Sequence, residues 1–172
     1  LFTERQINFR LPVIYLNIAR KIMGLIKGVT LKAIESIQGG MAEFYTPQSS
    51  DETMIVKVPA HTIDDLFVHK HQTDQLLIVR GSFVLVVLHN KQYQYIPLSE
   101  KVPQVATIPP GVLHGSINFD NQDCLLVNAV LRHGEPHPRD YQPVAKPFPY
   151  DLEKARLSLK NLEEKATAIA IQ

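Results

Sequence analysis

Several features that would by themselves announce a function are missing from this sequence. Cysteine occurs once, as Cys124 in an apolar run, which excludes an internal disulfide and any multi-cysteine zinc motif and suits a reducing cytoplasm. Neither sign of charge prevails: 18 Lys and Arg stand against 17 Asp and Glu, so no overall field draws in nucleic acid or an anionic membrane. A long hydrophobic run is absent too. The nearest approach, Leu11 to Ile26, is interrupted by Asn17, Arg20, Lys21 and Gly24 and reads as neither a membrane span nor a signal peptide. No internal repeat is apparent. What is there is a chain of 172 residues, 45% hydrophobic, enough for one globular domain with short appendages. Its expected partner is a small molecule.

In the first segment Val13, Ile14, Leu16, Ile18, Ile22, Leu25 and Ile26 include many pairs three or four apart, the pattern of an amphipathic helix, and we expect a helical arm over residues 1–27. From Val29 to Leu131 short runs of Val, Ile, Leu, Tyr and Phe alternate with Gly, Pro, Asn, Asp and Ser clusters, an all-β pattern spanning residues 28–133. The clearest strands are Met54 to Val58, Gln75 to Arg80, Phe83 to His89, Gln92 to Ile96, Val105 to Ile108 and Cys124 to Leu131. Phe83 to Leu88 is apolar at every position, so both its faces should be buried, one by an opposing sheet and one by another element or subunit. Residues 134–150, rich in proline, predict an extended surface strap. In the last segment, 151–172, Leu152, Ala155, Leu159, Leu162, Ala166 and Ile169 form a helical seam that would pack on the barrel or pair with a second chain.

His69 and His71 flank Lys70, and residues two apart in a strand project from one face, so two imidazoles are expected to point the same way. Further on, Pro109, Pro110 and Gly111 predict a tight turn that delivers His114 to the start of the next strand, with Asn118 four residues later. Three imidazoles so arranged make a metal site with open positions, suited to divalent Fe, Zn, Mn or Ni. A single His at a strand end is more often a surface or hydrogen-bonded residue, and that plainer reading holds for His133 and His137 at the start of the strap.

These residues resemble the cupin superfamily, whose second motif, Pro-x-Gly-x-x-His-x-x-x-Asn, is complete here as Pro109, Gly111, His114 and Asn118. The resemblance implies an all-β jelly-roll barrel with the N-terminal arm and C-terminal helix appended. The first motif is incomplete: where cupins usually carry a Glu ligand, this chain offers Asp74 or Gln75 before Gly81, and the metal set would be His69, His71, Gln75 and His114. Within the cupins, the stretch from His69 to Gly81 and the run Ile108 to Gly115 look like the dTDP-4-dehydrorhamnose 3,5-epimerase family and its sugar-nucleotide relatives. Weaker similarity extends to Pro138-Arg139-Asp140-Tyr141 and covers roughly residues 28 to 151.

Together these readings lead us to expect a cytoplasmic homodimer related to that family and acting on a small carbohydrate-derived substrate such as a dTDP-sugar, with no membrane or nucleic-acid partner. Its chemistry is proton removal beside a ketone by a His base supported by Asp, with a Tyr acid. In a gapless placement, however, the base position falls on Phe67, and no Tyr follows the last barrel strand until Tyr141. One repair makes His69 the base and His133 the acid, with His71, His114, Asn118 and Arg132 binding substrate. A second gives the three histidines to a metal, and a third reading is a non-catalytic sugar-binding cupin.

Overall fold

The computed structural model describes residues 28–34, 36–39, 42–45, 48–135 and 140–170. The arm expected over 1–27 and His137 lie outside them. Twelve strands and one helix make up the described fold: β1 (Thr30–Ala33), β2 (Ser36–Gly39), β3 (Ala42–Tyr45), β4 (Glu52–Val58), β5 (Leu66–Val68), β6 (Gln72–Arg80), β7 (Ser82–His89), β8 (Gln92–Ser99), β9 (Gln104–Ile108), β10 (Leu113–Ile117), β11 (Cys124–Arg132), β12 (Gln142–Val144) and α1 (Leu152–Ala170). β2 and β3 pair with each other. The rest form two antiparallel five-stranded sheets, ordered β1-β9-β6-β11-β4 and β12-β5-β10-β7-β8.

Strand alternation decides what each sheet buries. Leu31, Val58, Leu76, Ile78, Ala106, Ile108 and Leu126 of the first sheet meet Phe83, Leu85, Val87, Ile96 and Leu98 of the second in one core. The alternate residues of β7, Val84 and Val86, point the other way and pack with Leu66, Tyr93, Ile117, Tyr150, Ala155 and Leu159. This accounts for the unbroken apolar run of β7: one face meets the opposing sheet and the other meets α1. β7 and β8 join through Asn90 and Lys91, both at positive φ (50° and 60°), the two-residue turn whose twist matches the flanking strands.

α1 packs across β8 and β7, with Ala155, Leu159, Leu162 and Ala166 buried. These four seam residues are therefore buried within the chain, whereas Leu152 is exposed. Burial of Leu159 and Leu162 contributes roughly 1.5–3 kcal/mol each. Asp151 caps the helix, its Oδ1 accepting the Lys154 N–H at 2.9 Å, while its own N–H donates to Tyr95 Oη at 2.6 Å. No described helix is long and apolar enough to cross a membrane.

Of the strap, residues 140–150 are described, and they include the short strand β12. β12 adds to the edge strand β5, pairing Gln142, Pro143 and Val144 with Val68, Phe67 and Leu66. An edge tolerates Pro143, which has no N–H to give to a further strand. Tyr93 Oη donates to Phe148 O at 2.9 Å and Lys146 Nζ lies 3.0 Å from Asp65, so the strap is held against β8 and the segment that leads into β5.

Candidate functional site

β5 ends at Val68 and β6 begins at Gln72, so His69-Lys70-His71 is the bend between two strands. The expectation that both imidazoles share a strand face is corrected. The cause is Asp140, whose Oδ1 accepts the backbone N–H of Lys70 at 2.8 Å and of His71 at 2.7 Å, giving both a partner outside any ladder. The His69 carbonyl in turn accepts the Gly111 N–H at 2.7 Å, which ties the Pro109-Pro110-Gly111 turn to this bend. His69 faces a cavity, whereas His71 is exposed.

That turn delivers His114 onto β10, opposite Val87 on one side and Phe67 on the other. Gly111 sits at φ 79°, a conformation side chains disfavour. At Gly115 the reason is space: a Cβ would lie 2.7 Å from Asp65 O and 3.0 Å from Tyr150 Oη.

Between the sheets lies a cavity of about 320 Å³. Its wall is apolar along Met54, Val56, Val58, Leu76, Phe83, Leu85 and Leu126, and its polar end carries His69, Asp74 and His114, with Gln72, Asn128 and Tyr141 beside them. Gln72, Asp74 and Leu76 share the inward face of β6, which leaves Gln75 on the other face. Gln75 Nε2 there donates to Ser49 O and Ala129 O at 2.8 and 2.9 Å, so the structure does not bring Gln75 to the histidines.

Asp74 is 3% exposed. Its Oδ1 accepts from Gln72 Nε2 at 2.7 Å and Asn128 Nδ2 at 2.9 Å, and its Oδ2 lies 3.5 Å from His69 Nε2 and 3.7 Å from His114 Nε2. His114 Nδ1 lies 2.9 Å from the Val112 carbonyl, an acceptor, so Nδ1 is the protonated nitrogen of the neutral ring. Burial lowers the His114 pKa, outweighing the raising effects of that bond and of Asp74. On the other side of His69, Nδ1 lies 3.8 Å from Asp140 Oδ2, and neither atom has a hydrogen-bond partner among the described residues. Burial alone would raise the Asp140 pKa, but its two backbone donors and the nearby His69 and His71 hold it below the ordinary value.

The remaining expected site residues lie elsewhere. Asn118 Nδ2 donates to Val58 O and Gln122 O, both at 3.0 Å, and its Oδ1 accepts the Asp120 N–H at 2.9 Å, so it clamps a turn away from the cavity. His133 is exposed, with Nε2 2.7 Å from Thr73 Oγ1 on the outward side of β6. Arg132 lies behind the polar end: Nη1 donates to Gln72 Oε1 at 2.7 Å and Nη2 to Glu52 at 2.6 Å. Its bond to Glu52 raises its pKa foremost.

Two residues without an assigned role in the sequence analysis now stand at the site. Asp140 flanks His69, and Tyr141 lines the cavity with its ring 5.8 Å from that of His69 and 5.3 Å from that of Phe67. The signal was the short Asp140-Tyr141 match to the sugar-nucleotide cupins.

This is a cupin jelly roll. Solved structures of dTDP-sugar isomerases and epimerases share this fold. A dTDP sugar isomerase from Desulfovibrio desulfuricans G20 superposes with a TM-score of 0.61 at 14% identity, over 77% of this chain and 96% of that one. The sugar 3,4-ketoisomerase QdtA from Thermoanaerobacterium thermosaccharolyticum, solved with TDP, gives 0.57 at 17% identity, over 77% and 98%. A dTDP-4-dehydrorhamnose 3,5-epimerase from Sulfolobus tokodaii gives 0.58 at 16% identity, over 74% and 84%. No protein-family model matches the sequence, and no curated protein matches it either. At these identities the likeness establishes the fold.

Proposed function

We propose that this protein is an isomerase or epimerase of nucleotide-linked keto-sugars. The observation that carries the reading is the placement of His69, on the cavity wall with the Asp140 carboxylate behind its Nδ1. A ketone acidifies the adjacent C–H. His69 Nε2 takes that proton, and Asp140 orients the ring and balances the imidazolium charge that develops. Tyr141 Oη supplies a proton to the intermediate and recovers one in the closing step. It takes the acid role in preference to His133, which does not line the cavity.

Phe67 stays an apolar wall, its ring 4.3 Å from that of His114 and 5.8 Å from that of His69. The base therefore stands two residues beyond the family's position. A cavity of about 320 Å³ is at the small end of ligand pockets and suits a single sugar ring, with the nucleotide outside. Its apolar wall suits the C–H faces and methyl group of a 6-deoxy sugar. The dTDP-sugar enzymes and the TDP complex among its structural neighbours support a nucleotide-linked substrate.

The test is proton exchange. Incubation with dTDP-4-keto-6-deoxyglucose in D₂O should replace a proton beside the ketone by deuterium, seen by NMR, and His69→Asn should abolish it. No exchange with nucleotide-linked keto-sugars, under conditions where they raise the melting temperature, would instead identify a non-catalytic binding protein.

A further inference from the structure

We infer that Ser116 is a substrate-binding residue of the cavity, set by Asp64 as a hydrogen-bond acceptor, and that the group it takes is the C2 hydroxyl of the sugar ring. The identity of the ring rests on the keto-sugar reading above.

Ser116 follows His114 by two residues on β10, so both side chains leave the same face of the strand, about 7 Å apart, and both line the cavity. The ladder sets Leu85 beside Ser116 as it sets Val87 beside His114. Val58, Phe83 and Leu126 line the same cavity with apolar surface, so a hydroxyl only 8% exposed stands in company that does not bond to it. Strand pairing does not call for that hydroxyl. The Asp64 N–H donates to the Ser116 carbonyl at 3.0 Å, a bond any residue at this position would accept.

The hydroxyl has a fixed sense. Its proton goes to Asp64 Oδ2, and a carboxylate can only accept. Asp64 is half-buried, and the strap brings a positive charge to its side, with Lys146 Nζ 3.5 Å from Asp64 O and 3.0 Å from Asp65 Oδ1. With its one proton committed to Asp64, Ser116 Oγ has only lone pairs to offer the cavity, and the carboxylate polarises it into a stronger acceptor. The ligand group it receives is therefore a donor: a hydroxyl, not a carbonyl or a methyl group.

The chemistry of the substrate narrows which hydroxyl. In a nucleotide-linked 4-keto-6-deoxyhexose, C1 carries the nucleotide, C3 and C5 flank the ketone, and C6 is a methyl group. C2 alone bears a hydroxyl on a carbon that does not react. Ser116 thus separates 2-hydroxy sugars from 2-deoxy sugars, and Asp64 is a positioning residue that acts through it.

The test measures binding without turnover. dTDP-6-deoxyglucose and its 2-deoxy analogue lack the ketone and cannot undergo the proton removal, so calorimetry gives a dissociation constant for each. The unaltered protein should bind the 2-hydroxy sugar roughly 10- to 100-fold more tightly, the range expected of a hydrogen bond to a charge-polarised partner. In Ser116→Ala that ratio should fall to near one. In Asp64→Asn, whose amide oxygen still takes the Ser116 proton but carries no charge, it should lie between the two. Melting curves establish that each variant is folded. Equal binding of the two sugars by the unaltered protein would overturn the inference, as would a preference that survives Ser116→Ala or no saturable binding of either sugar. An undiminished ratio in Asp64→Asn would remove Asp64 from it. Proton exchange with the keto-sugar decides the isomerase reading separately: exchange without a 2-hydroxy preference sinks only the role of Ser116, and a Ser116-dependent preference without exchange sinks only the isomerase.

Discussion

Asp140 does two things to the bend that carries His69. One oxygen clamps the backbone at Lys70 and His71, and the other stands 3.8 Å from His69 Nδ1. Asp140→Asn separates these tasks. Its amide oxygen still accepts both N–H groups, but its NH₂ now faces Nδ1 and forces the proton onto Nε2, the nitrogen that must be free to act as base. We expect carbon-proton exchange to fall by about 10²- to 10⁴-fold, with the melting temperature little changed. Asp140→Ala should lower both, since each charge-assisted bond it removes is worth about 1.5–3 kcal/mol. Equal exchange in Asp140→Asn and unaltered protein would remove Asp140 from the chemistry.

Tyr141 is 56% exposed, so its hydroxyl contributes little to folding. Tyr141→Phe keeps the ring against Phe67 and His69 while deleting the proton donor. The expected result is product formation reduced by about 10²-fold or more, with deuterium wash-in by His69 reduced far less. Turnover and wash-in falling together would show that Tyr141 acts before or during the first proton removal.

The β framework was legible because its signals are local. An all-apolar β7 announces burial on two faces, and Pro-Pro-Gly before His114 announces a turn whichever strands surround it. The His69-to-His71 bend was not legible, because Asp140, a residue from the strap, interrupts the strand there. That interruption also sets which face of β6 points inward. A shift of one residue exchanges every side chain between faces, and so Asp74 enters the cavity while Gln75 leaves it. Tyr141 escaped for a related reason: only pairing of β12 with β5 brings it beside Phe67.

Asn118 completes the second cupin motif, yet its bonds are those of a structural clamp. Asn118→Ala would leave the Val58 and Gln122 carbonyls and the Asp120 N–H without this partner. A loss of about 2–4 kcal/mol is expected, seen as a lower urea midpoint at unchanged slope. Ligand affinity of the folded fraction should stay within twofold or so of the unaltered protein, by the general near-additivity of sites without shared partners. A large affinity loss at unchanged stability would return Asn118 to the binding site.

Cys124 offers a pH test independent of the cavity. It is 1% exposed, and its pKa is pushed up to about 12, foremost by burial and then by the Asp120 and Glu100 carboxylates. The folded thiol thus holds its proton where the unfolded thiol, near its ordinary value, has lost it. Between about pH 9 and 12 the unfolded chain binds fewer protons than the folded one, so stability falls as pH rises, by up to about 1.4 kcal/mol per pH unit from this group. Below that window both states are protonated and the effect vanishes. Urea unfolding at pH 8 and pH 10 should therefore show a smaller alkaline loss in Cys124→Ala than in the unaltered protein, even though the substitution lowers stability at both pH values by opening a cavity. Tyr150, whose pKa burial also raises, keeps part of the alkaline slope in the variant. A thiol reagent at pH 8 should label Cys124 only as the protein unfolds; prompt labelling of the native fold would contradict the burial that underlies the shift.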